Sequence, residues 1–351
     1  MTADGRAVRG DAPLRLRVEA AALVANWRAL DRMSGAAACG AAVKADGYGL
    51  GALQVAQRLA GAGCRDFYVA TWAEAQTLAP LGLSVSVLHG VRRADMASAL
   101  AGMARPVLNT AAQIARWREA GGGACDVMVD TGMNRLGVSA EEVAQGLLDG
   151  LAIDTLLSHL ACADEDSAMN PRQRDALAAI AGRVRACRVS LANSAGVALG
   201  EDYAFDLVRP GLALYGGVPR PELAGVIRRV VRPEAEVLQR RRVPAGETVG
   251  YNATWTAPVG TEVAILNIGY ADGYFRGFSD AGHALAGGAV LPVLGRVSMD
   301  LTAIDVTAAP TLAEGDTVEI AFALPEAARD SGHSQYELLT GLGARYARVW
   351  G

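Results

Sequence analysis

The chain has 351 residues, of which 51% are hydrophobic and 20% are charged, and its formal net charge is −4. This length exceeds the usual size of one domain, so it predicts one large domain plus a smaller one. The weak negative charge excludes a basic field strong enough to attract nucleic acid or an anionic membrane surface.

The amino-terminal 13 residues, MTADGRAVRGDAP, predict a loose tail because they lack the apolar core of a secretory signal. No run of 18 or more apolar residues is uninterrupted by charge, Gly or Pro, so the sequence predicts no membrane span. The five cysteines are scattered and form no CxxC pair, which argues against a disulfide framework and against structural zinc. We therefore expect a cytoplasmic protein.

From about residue 36 to residue 210, short apolar strands alternate with segments of helical spacing. The expected strands cover 37–44, 66–71, 84–91, 104–109, 125–130, 153–159, 188–193 and 205–209. Strands that are apolar almost throughout predict a parallel sheet covered on both faces, and eight of them favour a closed (β/α)8 barrel. Leu14–Val18 is also strand-like and precedes the barrel, with which it could pair.

Polar side chains recur at the carboxyl ends of five of these strands, where barrel enzymes carry their active sites. They are Lys44 with nearby Tyr48, Arg135, His159, Ser194 and Arg209. Each alone has an ordinary explanation, such as a solvent-facing lysine, a hydrogen-bonded structural histidine or a helix N-cap. Together they predict one active site at the barrel mouth. Four histidines without HxH or HExxH spacing give a metal centre little support.

After about residue 225 the helical spacing gives way to strands with a period of two, separated by turn residues such as Gly287-Gly288. The expected runs are 236–243, 261–267, 290–294, 300–306 and 317–321. This pattern predicts an antiparallel β domain. The chain then divides into a tail at 1–13, a barrel at 14–228 and a β domain at 229–351.

Seven motifs resemble those of alanine racemases and follow the order they have in that family. In the barrel they are VKADGYG from Val43, DTGMNRLG from Asp130, ANSAG from Ala192 and VRPGLALYG from Val208. In the β domain they are VGYNATW from Val249, IGYADGY from Ile268 and GRVSMD from Gly295. The resemblance implies a racemase that uses pyridoxal phosphate and has a (β/α)8 barrel followed by a β domain. It also implies a homodimer in which each barrel mouth is closed by the partner's β domain.

The same resemblance implies a role for each matching residue. Lys44 would hold the cofactor and act as one base, while the partner's Tyr251 would act on the opposite face, because inversion needs two acid–base groups. The cofactor would also contact Tyr48, His159, Ser194, Arg209 and the backbone N–H groups of Gly211 and Leu212. Arg135 would touch either the phenolic oxygen of the cofactor or the carboxylate of the small amino acid substrate. The partner's Met299 would give a backbone N–H to that carboxylate, with Asp300 supporting it. The substrate would arrive along a corridor lined by Asp164, Tyr270, Arg276 and Arg296.

Three positions depart from the family pattern. Leu50 replaces a histidine that usually follows the Tyr-Gly pair, and Met128 replaces a lysine whose carbamate orients the arginine matching Arg135 in many members. Ala344 aligns with a tyrosine that narrows the substrate pocket, and compensation by Tyr346 stays open. A wider pocket would admit serine or larger substrates, because rejecting one extra heavy atom by size rarely costs more than roughly 1–3 kcal/mol.

Four functions were weighed beside alanine racemisation. A serine or broad-specificity racemase of the same fold follows from the pocket change at Ala344. Decarboxylases of basic amino acids share the fold, but they usually carry a glutamate where Arg209 stands. Carriers that only bind pyridoxal phosphate resemble the barrel alone, whereas this chain keeps a second domain. A metal-dependent barrel hydrolase is the remotest alternative.

Overall fold

The computed structural model describes residues 12–351, so the first 11 residues of the expected tail lie outside the described part of the chain. The chain forms two compact units. One comprises Leu23–Arg228, and the other comprises Arg229–Gly351 together with the chain up to Ala22. Among the described residues, none of the helices has the length and apolar character needed to cross a membrane.

The unit at 23–228, all of which the structure describes, is a closed parallel barrel of eight strands. Their bounds are Ala38–Cys39 continued by Ala41–Ala42, Asp66–Val69, Ser84–Val87, Arg105–Leu108, Cys125–Met128, Ile153–Leu157, Ala186–Ser190 and Leu207–Val208. The first strand is interrupted at Gly40, and its two pieces pair with the eighth and the second strand, which closes the ring. The predicted barrel and its eight strands are confirmed.

Gly40 lies at the interruption because the backbone of the second strand passes very close to it. A Cβ at this position would come within 2.9 Å of the Asp66 carbonyl oxygen, so only glycine fits without a shift of the backbone. The absence of a side chain here lets the first and second barrel strands approach each other.

Helices follow the strands and cover the barrel. The helices up to residue 228 are Ala20–Met33, Ala52–Ala62, Trp72–Leu78, Met96–Leu100, Ala111–Glu119, Ala140–Ala144, Met169–Ala181 and Ser194–Ala198. Short 3-10 turns lie at Ala79–Leu81, Arg93–Asp95, Glu201–Tyr203, Leu212–Tyr215 and Pro221–Leu223. Several helices begin at polar caps, as when the Ser139 hydroxyl accepts the Glu142 N–H. The helix that begins after Ser139 ends at Ala144, and Gly146 then adopts a left-handed φ of 84°.

The amino ends of the barrel strands carry a network of ion pairs. Arg188 donates to both carboxylate oxygens of Asp66 at 2.9 and 3.0 Å and to Asp154 at 2.8 Å. Arg105 lies 3.2 Å from the same oxygen of Asp154. These groups lie at the end of the barrel opposite the predicted mouth, where charges serve stability rather than chemistry.

The second unit is built around one long strand, Val231–Val243. The other strands of this unit are Leu14–Val18, Thr248–Val249, Trp255–Thr256, Thr261–Leu266, His283–Ala286, Ala289–Pro292, Thr302–Asp305, Thr317–Ile320 and Ala347–Trp350. The five predicted runs each coincide with one of these strands. Two helices, Leu324–Ser331 and Gln335–Thr340, and the 3-10 turns Tyr251–Ala253, Tyr270–Asp272 and Arg276–Phe278 complete the unit.

The predicted barrel range, 14–228, begins too early, because the strand Leu14–Val18 is not part of the barrel. It pairs antiparallel with Val231–Val243 and parallel with Ala347–Trp350, and hence belongs to the sheet of the second unit. The reason is its pattern: Leu14, Leu16 and Val18 are buried while the residues between them are not, which suits a sheet with one covered face.

Candidate active site

Lys44 follows the first barrel strand on a tight left-handed turn. The next four residues have positive φ angles: 53° at Ala45, 52° at Asp46, 61° at Gly47 and 56° at Tyr48. An L-residue in this conformation costs roughly 1–2 kcal/mol. Such strain persists only where surrounding contacts hold the backbone in place, and it is concentrated at functional sites.

Two carboxylates hold this turn. Asp46 accepts the Ala52 N–H at 2.8 Å and fixes the exit of the turn. Glu74 accepts the Ala45 N–H at 2.7 Å through one oxygen and the Ala70 N–H at 2.7 Å through the other. Glu74 therefore ties the end of the second strand to the residue next to Lys44.

Glu74 is a site residue that was missing from the predicted set. Its sequence signal was the capping box that it forms with Thr71, in which the Thr71 hydroxyl accepts the Glu74 N–H. The box predicts where a helix begins. It does not predict that the free carboxylate oxygen reaches the turn after Lys44.

The half-buried Lys44 amine lies in a positive environment. Burial and the nearby Arg135 guanidinium lower its pKa; Glu74 raises it, and Arg209 lowers it further. The balance is a lowered pKa, so a larger fraction of the amine is neutral than in a free lysine. A neutral amine is able to accept a proton and to attack a carbonyl carbon.

Arg209 is buried at the end of the eighth strand. Its guanidinium donates to the Ser190 hydroxyl and, at 2.7 Å, to the Ser158 carbonyl oxygen. It also lies 5.8 Å from the ring centre of Tyr68. These contacts, made by three different strands, hold a positive charge in the barrel interior.

His159 ends the sixth strand and is kept neutral. Burial lowers the pKa of its imidazole to about 3, and the positive charges of Arg209, Arg135 and Lys44 add to this effect. Its backbone carbonyl accepts a hydrogen bond at 2.9 Å from Gln173, another residue that the sequence did not single out.

A cluster of hydroxyl and backbone N–H groups that suits an anionic ligand includes Ser194 and Gly211. The Ser194 hydroxyl accepts the Gly211 N–H at 2.9 Å and the Ala213 N–H at 3.1 Å. A Cβ at Gly211 would overlap the hydroxyl of Tyr48, so the missing side chain lets this hydroxyl lie against the Gly211 backbone. The Tyr48 ring stacks on Tyr215 at 4.5 Å, which fixes its position.

These groups fit a ligand that carries a phosphate and a carbonyl. The hydroxyl groups of Ser194 and Tyr48 and backbone N–H groups lie together at Gly211, which is the kind of group that binds phosphate in other barrels. Two arginines, Arg135 and Arg209, act on both Lys44 and His159, whereas Glu74 is the carboxylate that acts on Lys44. The surroundings of these two residues therefore carry an excess of positive charge. An anion would relieve this excess of positive charge, and the Lys44 amine would react with the carbonyl.

Arg135 is exposed on a loop that Asp130 organises. One Asp130 oxygen accepts the N–H groups of Gly132 at 2.8 Å and Met133 at 2.9 Å. Met128 is buried beneath this loop. The loop that carries Arg135 is thus shaped by Asp130 and not by a side chain at position 128.

In the second unit, Tyr251 lies at the tip of the hairpin formed by Thr248–Val249 and Trp255–Thr256. Tyr251 is 66% exposed, a high value for a large aromatic residue. It borders a groove of about 620 Å³ that Arg296, Ser298 and Leu301 also line.

The predicted substrate residues Met299 and Asp300 lie on a closed turn. The Ser298 hydroxyl donates to the Leu301 carbonyl oxygen at 2.8 Å, and the Tyr270 N–H donates to the Ser298 carbonyl oxygen at 3.0 Å. The Arg276 guanidinium lies 5.4 Å from the centre of the Tyr270 ring. Tyr270, Arg276, Met299 and Asp300 are therefore neighbours within this unit.

The structure brings one group of predicted residues together in each unit. At the barrel mouth they are Lys44, Tyr48, Arg135, His159, Ser194, Arg209, Gly211 and Leu212. In the second unit they are Tyr251, Tyr270, Arg276, Arg296, Met299 and Asp300. Asp164 is exposed on the loop after the sixth strand.

Two family models match the chain and together cover nearly all of it. The model described as "Alanine racemase, N-terminal domain" matches residues 18–219, and "Alanine racemase, C-terminal domain" matches residues 230–350. The first match includes the barrel and the second includes most of the β unit.

Individual proteins are similar over the same length. An alanine racemase of Acidiphilium cryptum is 43% identical over 349 residues, which cover 95% of this chain and 98% of that protein. A catabolic alanine racemase of Agrobacterium fabrum is 43% identical over 361 residues, covering 97% and 93%. The crystal structure of alanine racemase from Bartonella henselae, with covalently bound pyridoxal phosphate, superposes with a TM-score of 0.90 at 34% identity. The superposition covers 97% of this chain and 100% of the Bartonella henselae chain.

Proposed function

The chain belongs to the alanine racemase family, and from that premise we propose that it interconverts L- and D-alanine with bound pyridoxal phosphate. The observation that carries the proposal is the environment of Lys44. Its amine has a lowered pKa, lies on a strained turn and has Arg135 and Arg209 as cationic neighbours. A lysine that only faces solvent at the end of a strand is not expected to have a lowered pKa or cationic neighbours.

The barrel mouth suits the cofactor residue by residue. Lys44 would hold its carbonyl carbon covalently, while the hydroxyls of Ser194 and Tyr48 and the backbone N–H groups of Gly211 and Leu212 would hold its phosphate. When bound, pyridoxal phosphate supplies a place for the electron pair that remains when a substrate loses its α-proton. Arg209 has no acceptor for the hydrogen bond of a protonated pyridine nitrogen, so beside that nitrogen it would favour the unprotonated form; this would weaken the effect and discourage side reactions.

Inversion needs one proton-transfer group on each face of the substrate α-carbon. The Lys44 amine, neutral in part because of its lowered pKa, removes or returns the proton on one face. We assign the other face to the partner's Tyr251. Arg135 and the backbone N–H of the partner's Met299 bind the substrate carboxylate, which holds the α-carbon between the two groups.

The second unit supports a homodimer with shared active sites. Large hydrophobic side chains are exposed around the groove beside Tyr251, including Met299 at 54% and Leu301 at 42%. Exposed apolar groups that surround a functional tyrosine are typical of a surface that a second subunit covers. A second copy of the chain is the partner that the family resemblance implies.

One observation favours a wider substrate range as a second candidate function. Ala344 is exposed and has only a methyl side chain, where many relatives carry a pocket tyrosine. Tyr346 is buried within the second unit, which argues against its replacing that tyrosine. Serine would then be accepted beside alanine.

A chiral assay in deuterated water tests both candidates. We expect L-alanine to yield D-alanine with deuterium at the α-carbon, and we expect turnover of L-serine if the pocket is wide. Lys44→Ala serves as the matched control and should be inactive. Wild-type protein that binds pyridoxal phosphate yet exchanges no α-hydrogen would contradict the racemase assignment.

A further inference from the structure

Arg345 lies where three loops of the second unit meet, and none of the assignments above gives it a function. The loops are 269–274, 298–301 and 341–346. Resting on the proposed function, we infer that Arg345 is a positioning residue that fixes the turn of Met299 and Asp300, and thereby the backbone N–H that receives the substrate carboxylate.

One edge of the guanidinium is held by a buried carboxylate. Arg345 donates through Nε to Asp272 Oδ1 at 2.6 Å and through Nη2 to Asp272 Oδ2 at 2.7 Å. Asp272 is fully buried, and it also accepts the Gly269 N–H at 3.0 Å. Paired bonds between a guanidinium and a carboxylate fix both the distance and the plane of the arginine.

The other edge reaches the substrate turn. Arg345 Nη1 donates to Asp300 Oδ1 at 2.7 Å, and Asp300 directly follows Met299. One side chain thus connects a buried anchor to the exposed turn. A lysine could not make these three bonds in one plane, because its ammonium is a single point of charge.

The three loops are packed so closely that they cannot move independently. The Ala271 N–H donates to the Met299 carbonyl oxygen at 3.0 Å, and a Cβ at Gly269 would overlap that same oxygen. A Cβ at Gly343 would come within 2.8 Å of the Ala271 carbonyl oxygen. The orientation of the Met299 peptide therefore depends on how the neighbouring loops are held, and Arg345 is the side chain that joins them.

Loss of Arg345 should weaken carboxylate binding more than it slows chemistry. The substrate carboxylate is bound both in the substrate complex and in the transition state. Weakening the contact that binds it therefore raises KM and leaves kcat largely intact. For Arg345→Gln we expect KM for alanine to rise about tenfold or more, the effect of losing a hydrogen bond to a charged group.

The experiment compares Arg345→Gln with Arg329→Gln in the holoenzyme. Arg329 is also in the second unit, but its ion pair with Glu326, at 3.6 Å, is exposed, and we expect its loss to leave KM unchanged. Arg345→Lys should give an intermediate KM, and it keeps the test valid should the glutamine variant fail to fold. An unchanged KM in Arg345→Gln, or in Arg345→Lys where only that variant folds, would overturn the inference.

Hydrogen exchange provides a readout that does not depend on activity. In Arg345→Gln the amides of Tyr270 and Ala271, which donate to the substrate turn, should exchange faster than in wild type and in Arg329→Gln. Unaltered exchange contradicts the joining of the loops. Faster exchange with wild-type KM shows a structural role alone, and so contradicts the positioning role. Failure of the proposed function is distinct, because the wild-type enzyme would then show no racemisation.

Discussion

Lys44 and His159 are two nitrogen bases whose pKa values are lowered by burial and by the same two arginines. Neither arginine can give up its proton at ordinary pH, so both act as fixed positive charges. The effect is that His159 stays neutral and that a larger fraction of the Lys44 amine is neutral than in a free lysine. Glu74 raises the pKa of Lys44 and does not act on His159, so the surroundings of the two bases differ in this one carboxylate.

The first prediction concerns the pH dependence of stability that His159 causes. Its folded-state pKa is lowered to about 3, whereas an unfolded histidine titrates near pH 6.5. Between these values the unfolded chain binds a proton that the folded chain does not, so stability falls as pH falls from about 6.5 towards 3. The free energy of unfolding of His159→Gln should depend less steeply on pH across this window, as measured by urea denaturation.

The exposed His89 offers the matched control, since His89→Gln changes the same atoms at the surface. Denaturation of the two variants is best compared in cofactor-free protein, where cofactor release does not contribute. Identical pH slopes for wild type and His159→Gln would show that the imidazole is not kept neutral by the fold.

The residues that bear chemistry on strand ends were predictable, and the residues that position them were not. Lys44 and Arg209 stand out because a charged side chain closes an otherwise apolar strand. Glu74 and Arg345 act through contacts between loops that are distant in the sequence, 29 residues apart for Glu74 and Ala45. No local pattern reports such a contact, although the capping box at Thr71 fixed where the Glu74 backbone would lie.

At the level of elements, the periodicity of the sequence predicted the barrel strands, but it did not predict which strands pair with Leu14–Val18. Eight barrel strands follow from their apolar runs, because both faces of a parallel barrel are buried. Leu14–Val18 was assigned by its position in the sequence, whereas its partner strands, Val231–Val243 and Ala347–Trp350, lie more than 200 residues away. The alternation of apolar and charged residues in this strand carried the correct information, since it matches a sheet with one covered face and not a barrel.

The second prediction concerns the segment between the eighth strand and the turn Leu212–Tyr215. Gly211→Ala should lower the affinity for pyridoxal phosphate about tenfold or more, because its methyl group would displace the Tyr48 hydroxyl from the proposed phosphate site. Equilibrium dialysis of the cofactor measures this effect, and thermal unfolding of the cofactor-free protein shows whether the fold is kept.

Gly61 provides the control because it lies within the helix Ala52–Ala62 and a Cβ there would meet open space. Gly61→Ala should stabilise the protein by up to about 1 kcal/mol through helix propensity and leave cofactor affinity unchanged. Equal cofactor affinity in both variants would argue that the phosphate does not lie beside Gly211.

At the scale of the whole molecule, each unit holds a set of residues that the other lacks. The barrel unit carries Lys44 and the proposed cofactor-binding groups, while the second unit carries Tyr251 on an exposed hairpin tip. A reaction that needs proton transfer on two faces requires both sets. The proposed homodimer provides them by combining the barrel of one subunit with the β unit of the other.

The last prediction follows from this division of the site between subunits. Lys44→Ala and Tyr251→Phe homodimers should each be nearly inactive, because every site lacks one proton-transfer group. Hybrid dimers contain one site that carries both changes and one that carries neither. Random exchange makes half of the dimers hybrid, so an equal mixture should recover about a quarter of wild-type activity.

Mixing two barrel variants, Lys44→Ala and Arg209→Gln, controls for effects of subunit exchange alone. Here each hybrid site contains one altered barrel, so no intact site forms and activity should not rise above that of the separate variants. If the pair Lys44→Ala and Tyr251→Phe behaved in the same way despite proven subunit exchange, both groups would belong to one chain's site. The proposed second base would then have to come from within the same subunit, and the exposed position of Tyr251 would need another explanation.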